Sequence, residues 1–178
     1  MTGLFIGRFQ PMHKGHVSVI ESMIATGLDC AVIGIGSSNK QGTPENPWSA
    51  EDRRQFIETY VGHLRQFLDI RIVDIPDLDD DERWVAHVDA LVGHYDVIYT
   101  GNPWVERLMK EANHVVQNIE MRVPISATII RDALRSGNHT VWREHLHPDL
   151  HDYFQNYTTT QARYFREQSL GINANGIM

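Results

Sequence analysis

Short apolar runs alternate along this chain with stretches in which apolar residues recur every three or four positions. The runs at 3–7, 31–36, 70–75 and 96–101 have strand length, and three of them close on glycine. Residues 115–121 form a weaker fifth run. Between them lie three helical stripes: Val17, Ile20 and Ile24; Phe56, Tyr60, Val61, Leu64 and Phe67; Trp84, Val85, Val88, Leu91 and Val92. Their i, i+3, i+4, i+7 spacing predicts half-buried helices. Strands alternating with helices predict an α/β fold: a Rossmann-like, doubly wound, mostly parallel sheet with helices on both faces. From about Pro124 the pattern changes to shorter helical stretches, 126–136 and 149–157, and then a polar tail. We expect one domain, with its core at about 1–125 and a small C-terminal helical part at about 126–172.

In a sheet of this kind ligands collect beyond the carboxyl ends of the strands. The chain's distinctive polar clusters fall there: GRFQPMHKGH after the first strand, GSSNKQG after the second, TGNP after the fourth. Ordinary turn chemistry accounts for any one of them. Three at the same end of one sheet point to a site.

Composition narrows the possibilities. The net charge of −7 argues against broad attraction to nucleic acid, so a phosphate-bearing ligand needs a local cluster of positive groups. No stretch approaches the roughly 18 consecutive apolar residues of a membrane span. With no basic segment leading a long apolar run, we expect no signal peptide, no membrane partner and a cytoplasmic setting. The single cysteine, Cys30, sits in an apolar run and reads as a buried, inert thiol in a reducing compartment.

Within the first cluster, His13 and His16 are three apart and share a face if a helix starts at about residue 13 or 14. A helix start offers unpaired N–H groups and the positive end of its dipole to phosphate. Gly7 and Gly15 admit a ligand close to the backbone, Pro11 stiffens the turn, and Arg8 adds a planar cation. The imidazoles can donate hydrogen bonds to a phosphate in its transition state. They can equally be two satisfied histidines of a turn, whereas a metal site lacks an evident third ligand. A second cluster, ISATIIR at 125–131, places Ser126 as the cap of another helix, with Thr128 and Arg131 in its first turns.

Together, G-R-F-Q-P-x-H-x-G-H and I-S-x-T-x-I-R resemble the nucleotidyltransferase superfamily with the H-x-G-H signature. The segments W-V-x-H-V (84–88) and T-G-N-P (100–103) narrow the resemblance to the archaeal-type nicotinamide-nucleotide adenylyltransferases, from about residue 3 to 150. The resemblance implies transfer of the adenylyl group of ATP to nicotinamide mononucleotide (NMN), forming NAD and pyrophosphate, with Mg²⁺ accompanying ATP. It implies catalytic roles for His13, His16 and Arg131. His16 would meet the α-phosphate, His13 would steady the phosphate chain, and Ser126, Thr128 and Arg131 would hold the outer phosphates. Gly7, Arg8 and Phe9 would line the shared phosphate region, and Gly101 and Asn102 the adenosine. Arg8, Gly36, Ser37, Arg53 and Trp84 would bind the acceptor, with Trp84 stacked on the nicotinamide ring. Trp84 also fits a core position on its helical stripe, and both readings stand. It further implies a homo-oligomer, hexamers included.

One departure matters: Asp81 and Glu82 stand where an amide-bearing side chain is expected just before Trp84. Transfer to another phosphorylated acceptor such as phosphopantetheine, and nucleotide sensing without turnover, are the rival functions. The remaining candidates have plainer readings. The acidic run 77–82 reads as a solvated loop capping the next helix, and His145, His147 and His151 as a surface cluster with no assigned metal. Lys14 and Lys40 either close over the triphosphate or are solvated, and Arg163 and Arg166 read as solvated.

Overall fold

The computed structural model describes residues 1–78, 80–119 and 123–158. Five parallel strands form one sheet in the order β3-β2-β1-β4-β5: β1 (Thr2–Gly7), β2 (Cys30–Gly36), β3 (Asp69–Ile75), β4 (Val97–Thr100) and β5 (Val116–Asn118). The chain winds outward from β1 through β2 to β3, then returns to lay β4 on the other side of β1. That reversal opens a crevice beyond the carboxyl ends of β1 and β4.

Alternation along the strands builds a core on each face of the sheet. Phe5, Ile33 and Tyr99 point to one face, and their neighbours Leu4, Val32 and Ile98 to the other. The first face is covered by α1 (Lys14–Ile24), α2 (Ala50–Val61), α5 (Ala127–Ser136) and α6 (His139–His145). The second is covered by α3 (Asp81–Val92) and α4 (Pro103–Glu111). Burying one such large apolar side chain contributes about 1.5–3 kcal/mol. Each helix facing the crevice starts on a polar cap: Ser49 for α2, Asp80 for α3, Asn102 for α4 and Ser126 for α5.

Three expectations are corrected here. Phe67 is 80% exposed, because α2 stops at Val61 and the chain tightens into a 3₁₀ turn at Gly62–Gln66; Leu68 takes the buried place. Leu91 is 40% exposed at the end of α3, where Val92 carries the inward contact. Cys30 is only half-buried at the start of β2, although burial and the neighbouring Asp69 carboxylate raise its thiol pKa and keep it protonated. The late region also holds α6, which the apolar pattern does not announce, before a 3₁₀ turn at Pro148–Leu150 and helical residues 151–158. Residues 159–172 of the expected helical part, Arg163, Arg166 and Asp79 lie outside the described residues.

Candidate active site

β1 ends at Gly7, and the next turn folds the Phe9 ring back over it. A Cβ on Gly7 would lie 2.9 Å from that ring, so the position admits only hydrogen. Phe9 itself holds a left-handed backbone (φ 50°) and is 1% exposed, its ring centre 4.8 Å from that of His16. Its ring packs in support of His16, and Phe9 is not among the residues that line either of the two cavities flanking the end of β1. His13 caps α1. The Gly15 N–H donates to His13 Nδ1 at 3.1 Å, and the His13 N–H donates to His16 Nδ1 at 3.3 Å. Each Nδ1 thus acts as an acceptor, which leaves the proton of a neutral ring on Nε2. Burial, and then His145, push His13 down to about 4; burial, and then His13, hold His16 well below its usual range. At neutral pH the pair is uncharged and offers Nε2–H donors.

Arg131 comes to the same place from α5. It is 6% exposed and donates to the Gln10 carbonyl at 2.8 Å and to Thr128 Oγ1 at 3.1 Å, while its buried Nε has no partner among the described residues. Burial, and then Arg8 and Arg135, lower its pKa; a guanidinium stays charged even so. Gln10 is the hub of this arrangement. Its side-chain amide donates to the Trp48 carbonyl at 2.9 Å and accepts from the Trp48 N–H at 3.1 Å, joining the turn to the segment before α2. Sequence reading passed over Gln10, although a buried amide in a polar turn is bound to find partners.

Two cavities flank the end of β1. The larger, about 740 Å³, lies in the crevice between β1 and β4 and is walled by Gly7, His16, Gly101, Asn102 and Ser126, with Ile119 and Ile125. A Cβ on Gly101 would sit 2.7 Å from the Ile119 carbonyl oxygen, so glycine is needed there for the close approach of the chain after β5. The smaller cavity, about 380 Å³, runs from Gly7 and Arg8 past Gly36, Ser37 and Asp77 to Trp84 and Trp104. Ile6, Gly7 and Asn102 belong to both walls. Neither wall includes His13, Thr128 or Arg131; His13, 2% exposed, packs against His16 with ring centres 3.9 Å apart.

Trp84 holds the core position that its helical stripe predicts. It is 6% exposed in the core under α3 and also edges the smaller cavity. Its ring centre lies 4.8 Å from that of Trp104, which is 37% exposed and was missed in the sequence. The signal was present: Trp104 directly follows T-G-N-P at the start of a helix beyond a strand's carboxyl end. Trp104 Nε1–H donates to Asp81 at 3.1 Å, so the unexpected aspartate orients an aromatic wall. Asp77 accepts from Ser37 Oγ at 2.9 Å and pairs with Lys40 at 2.7 Å, while Asp80 caps α3 as expected of this run.

Arg53 corrects the expectation that it touches the acceptor. It is fully buried, and its N–H groups are spent on backbone carbonyls of the surrounding loops. His147 caps the Pro148–Leu150 turn and His151 bonds the Arg143 carbonyl, so these two are used structurally. Among the described residues no group of three His, Cys, Asp or Glu side chains is placed to hold a metal.

Residues 4–133 match the cytidylyltransferase-like family. A nicotinamide-nucleotide adenylyltransferase of Archaeoglobus fulgidus is 37% identical over 143 residues, 77% of this chain and 82% of that one. That of Methanoculleus marisnigri is 37% identical over 148 residues, 82% of this chain and 84% of that one. The chain belongs to the nicotinamide-nucleotide adenylyltransferase family. A solved bifunctional NMN adenylyltransferase/ADP ribose pyrophosphatase of Francisella tularensis shares the fold, with a TM-score of 0.61 at 24% identity. The match covers 76% of this adenylyltransferase-family chain and 42% of that longer protein.

Proposed function

We propose that this chain transfers the adenylyl group of ATP to the phosphate of NMN, forming NAD and pyrophosphate. One observation carries the reading: two cavities of nucleotide size share Gly7 in their walls, and His16 lines the larger. ATP occupies the larger cavity, with its outer phosphates toward the Ser126-capped start of α5 and the Arg131 guanidinium. NMN occupies the smaller, with its phosphate near Gly7 and Arg8 and its ring toward Trp84 and Trp104.

The chemistry follows from that placement. An oxygen of the acceptor phosphate attacks the α-phosphorus in line, and the bond to the β-phosphate oxygen breaks, releasing pyrophosphate. The nucleophile is already anionic, so no general base is needed. What the protein supplies is alignment of two repelling phosphates and donors aimed where charge builds. His16 donates to the α-phosphate oxygens as that charge grows, and His13 fixes the tautomer and tilt of His16 through the shared helix cap.

Mg²⁺ takes oxygen ligands and keeps much of its water. The described walls of the larger cavity carry hydroxyl, amide and imidazole groups but no carboxylate, which is no protein cage for the ion. We assign Mg²⁺ to the triphosphate it arrives with and route no step through it. The reading also brings assembly into a homo-oligomer, hexamers included, to be checked by sedimentation equilibrium. It further brings a cytoplasmic setting, supported by a lone cysteine with no pairing partner in the chain.

The deciding experiment incubates the protein with MgATP and, separately, NMN, nicotinate mononucleotide and phosphopantetheine, following pyrophosphate release. Release with NMN and formation of NAD is the expected result. Release only with phosphopantetheine would reassign the acceptor, and tight ATP binding without release would make the chain a sensor.

A further inference from the structure

The positions after β1 and β2 share an unusual geometry. Phe9 and Ser37 both hold a left-handed backbone with φ 50°, which costs a side-chain-bearing residue on the order of 1 kcal/mol or more and persists only where surroundings enforce it. The peptide before each of them is gripped from below by one residue. Arg53 donates from one terminal nitrogen to the Arg8 carbonyl at 3.0 Å and the Gly36 carbonyl at 2.9 Å. Its other terminal nitrogen donates to the carbonyls of Ser37 at 3.1 Å and Lys40 at 3.5 Å, and its Nε to that of Ser49 at 3.1 Å. Only a planar fork with five donors can hold this many carbonyls from one point.

In a trans peptide the C=O and the N–H point to opposite sides. Pulling the Arg8 and Gly36 carbonyls toward Arg53 turns the N–H groups of Phe9 and Ser37 away from it. Among the described residues neither N–H has an acceptor. Arg8, Gly36 and Ser37 wall the smaller cavity, and Arg53 is not among the residues that line it. We infer that Arg53 is a positioning residue: it aims the Phe9 and Ser37 N–H groups into the smaller cavity as a cradle for the acceptor's phosphate. Backbone donors held this way meet an anion with little reorganisation. The identity of the acceptor rests on the adenylyl-transfer reading above; the cradle does not.

The test has two arms on the intact protein. In the first, isotope-labelled wild-type protein is titrated with inorganic phosphate, and the amide signals of Phe9 and Ser37 should shift. In the second, Arg53→Lys keeps the charge but loses the fork, so the KM for NMN should rise about tenfold while that for ATP stays within about twofold. Gly36→Ala is the companion variant: its new methyl meets only ordinary contacts, the nearest at 3.5 Å, and it should raise the NMN constant selectively with the fold intact. Amides that ignore phosphate overturn the cradle. So does a joint rise of both Michaelis constants, or a fall in kcat alone, in Arg53→Lys. If Arg53→Lys does not fold, Gly36→Ala with both constants unchanged overturns it. A wild-type protein whose amides shift but which makes no NAD overturns the acceptor and keeps the cradle.

Discussion

Each imidazole of the His13–His16 pair gives its Nδ1 lone pair to a backbone N–H at the start of α1, so the helix cap fixes the tautomer with the proton on Nε2. If His16 then serves as a donor to developing charge, His16→Ala should lower kcat by roughly 10²–10³ with little change in ATP affinity. A near-normal kcat would remove it from the chemistry. The same burial has a stability consequence. His13 titrates at about 4 when folded, against 6.5 when free. Between those values the unfolded chain binds the proton and the folded one does not, so the contribution is present above pH 6.5 and is lost as pH falls toward 4. The gap corresponds to roughly 3 kcal/mol. Asn retains a capping oxygen and does not titrate, so urea unfolding of His13→Asn should show a shallower loss of stability across this range. A slope identical to the wild type's would contradict the pKa depression.

At the scale of elements, the sheet was legible because its central strands β1, β2 and β4 are written as apolar runs that are largely buried, while β3 and β5 at the edges are more exposed. The starts of α3 and α5 were legible because the acidic run and Ser126 stand directly before them, whereas α4 was not announced by the apolar pattern. What the stripes could not show is where a helix loses register. Phe67 continues the α2 spacing on paper, but the turn at Gly62–Gln66 rotates it into solvent. Arg53 was misread for a related reason: a cation near a phosphate site reads as a ligand, and only its carbonyl partners reveal a brace. Trp84 and Trp104 also needed the packing of α3 on α4 to be brought together, since they lie far apart in the chain. Their pairing yields a graded prediction. Trp84→Ala should cost about 3–5 kcal/mol of stability as a core truncation. Trp104→Ala, at a half-open position, should cost far less stability yet weaken NMN and NAD binding by roughly 1–3 kcal/mol, the scale of ring stacking on an aromatic side chain. Thermal midpoints and dissociation constants for ATP, NMN and NAD on both variants test this. An unchanged NMN affinity in Trp104→Ala would take the aromatic wall out of acceptor binding.

For the molecule as a whole, the reversal of strand order at β1 places one cavity on each side of a single glycine. The reaction joins what occupies them. Its dinucleotide product carries both halves, so NAD should fill the two cavities at once and cross the shared wall at Gly7. Pyrophosphate, by contrast, comes from the ATP side alone. Equilibrium displacement distinguishes these footprints without relying on turnover. NAD should drive off both a labelled non-hydrolysable ATP analogue and labelled NMN, whereas pyrophosphate should displace the analogue and spare NMN. Mass action adds a second readout: at about 100 times its dissociation constant, each ligand stabilises the fold by roughly 2.7 kcal/mol. For a chain of this length that corresponds to a rise in Tm of about 5–10 °C, taking roughly 2–4 °C per kcal/mol. Trp104→Ala should reduce the shift produced by NAD at fixed concentration and leave that of the ATP analogue in place. Displacement of only one substrate by saturating NAD would mean that the two cavities do not form one continuous site, and the transfer geometry built on Gly7 would fall with it.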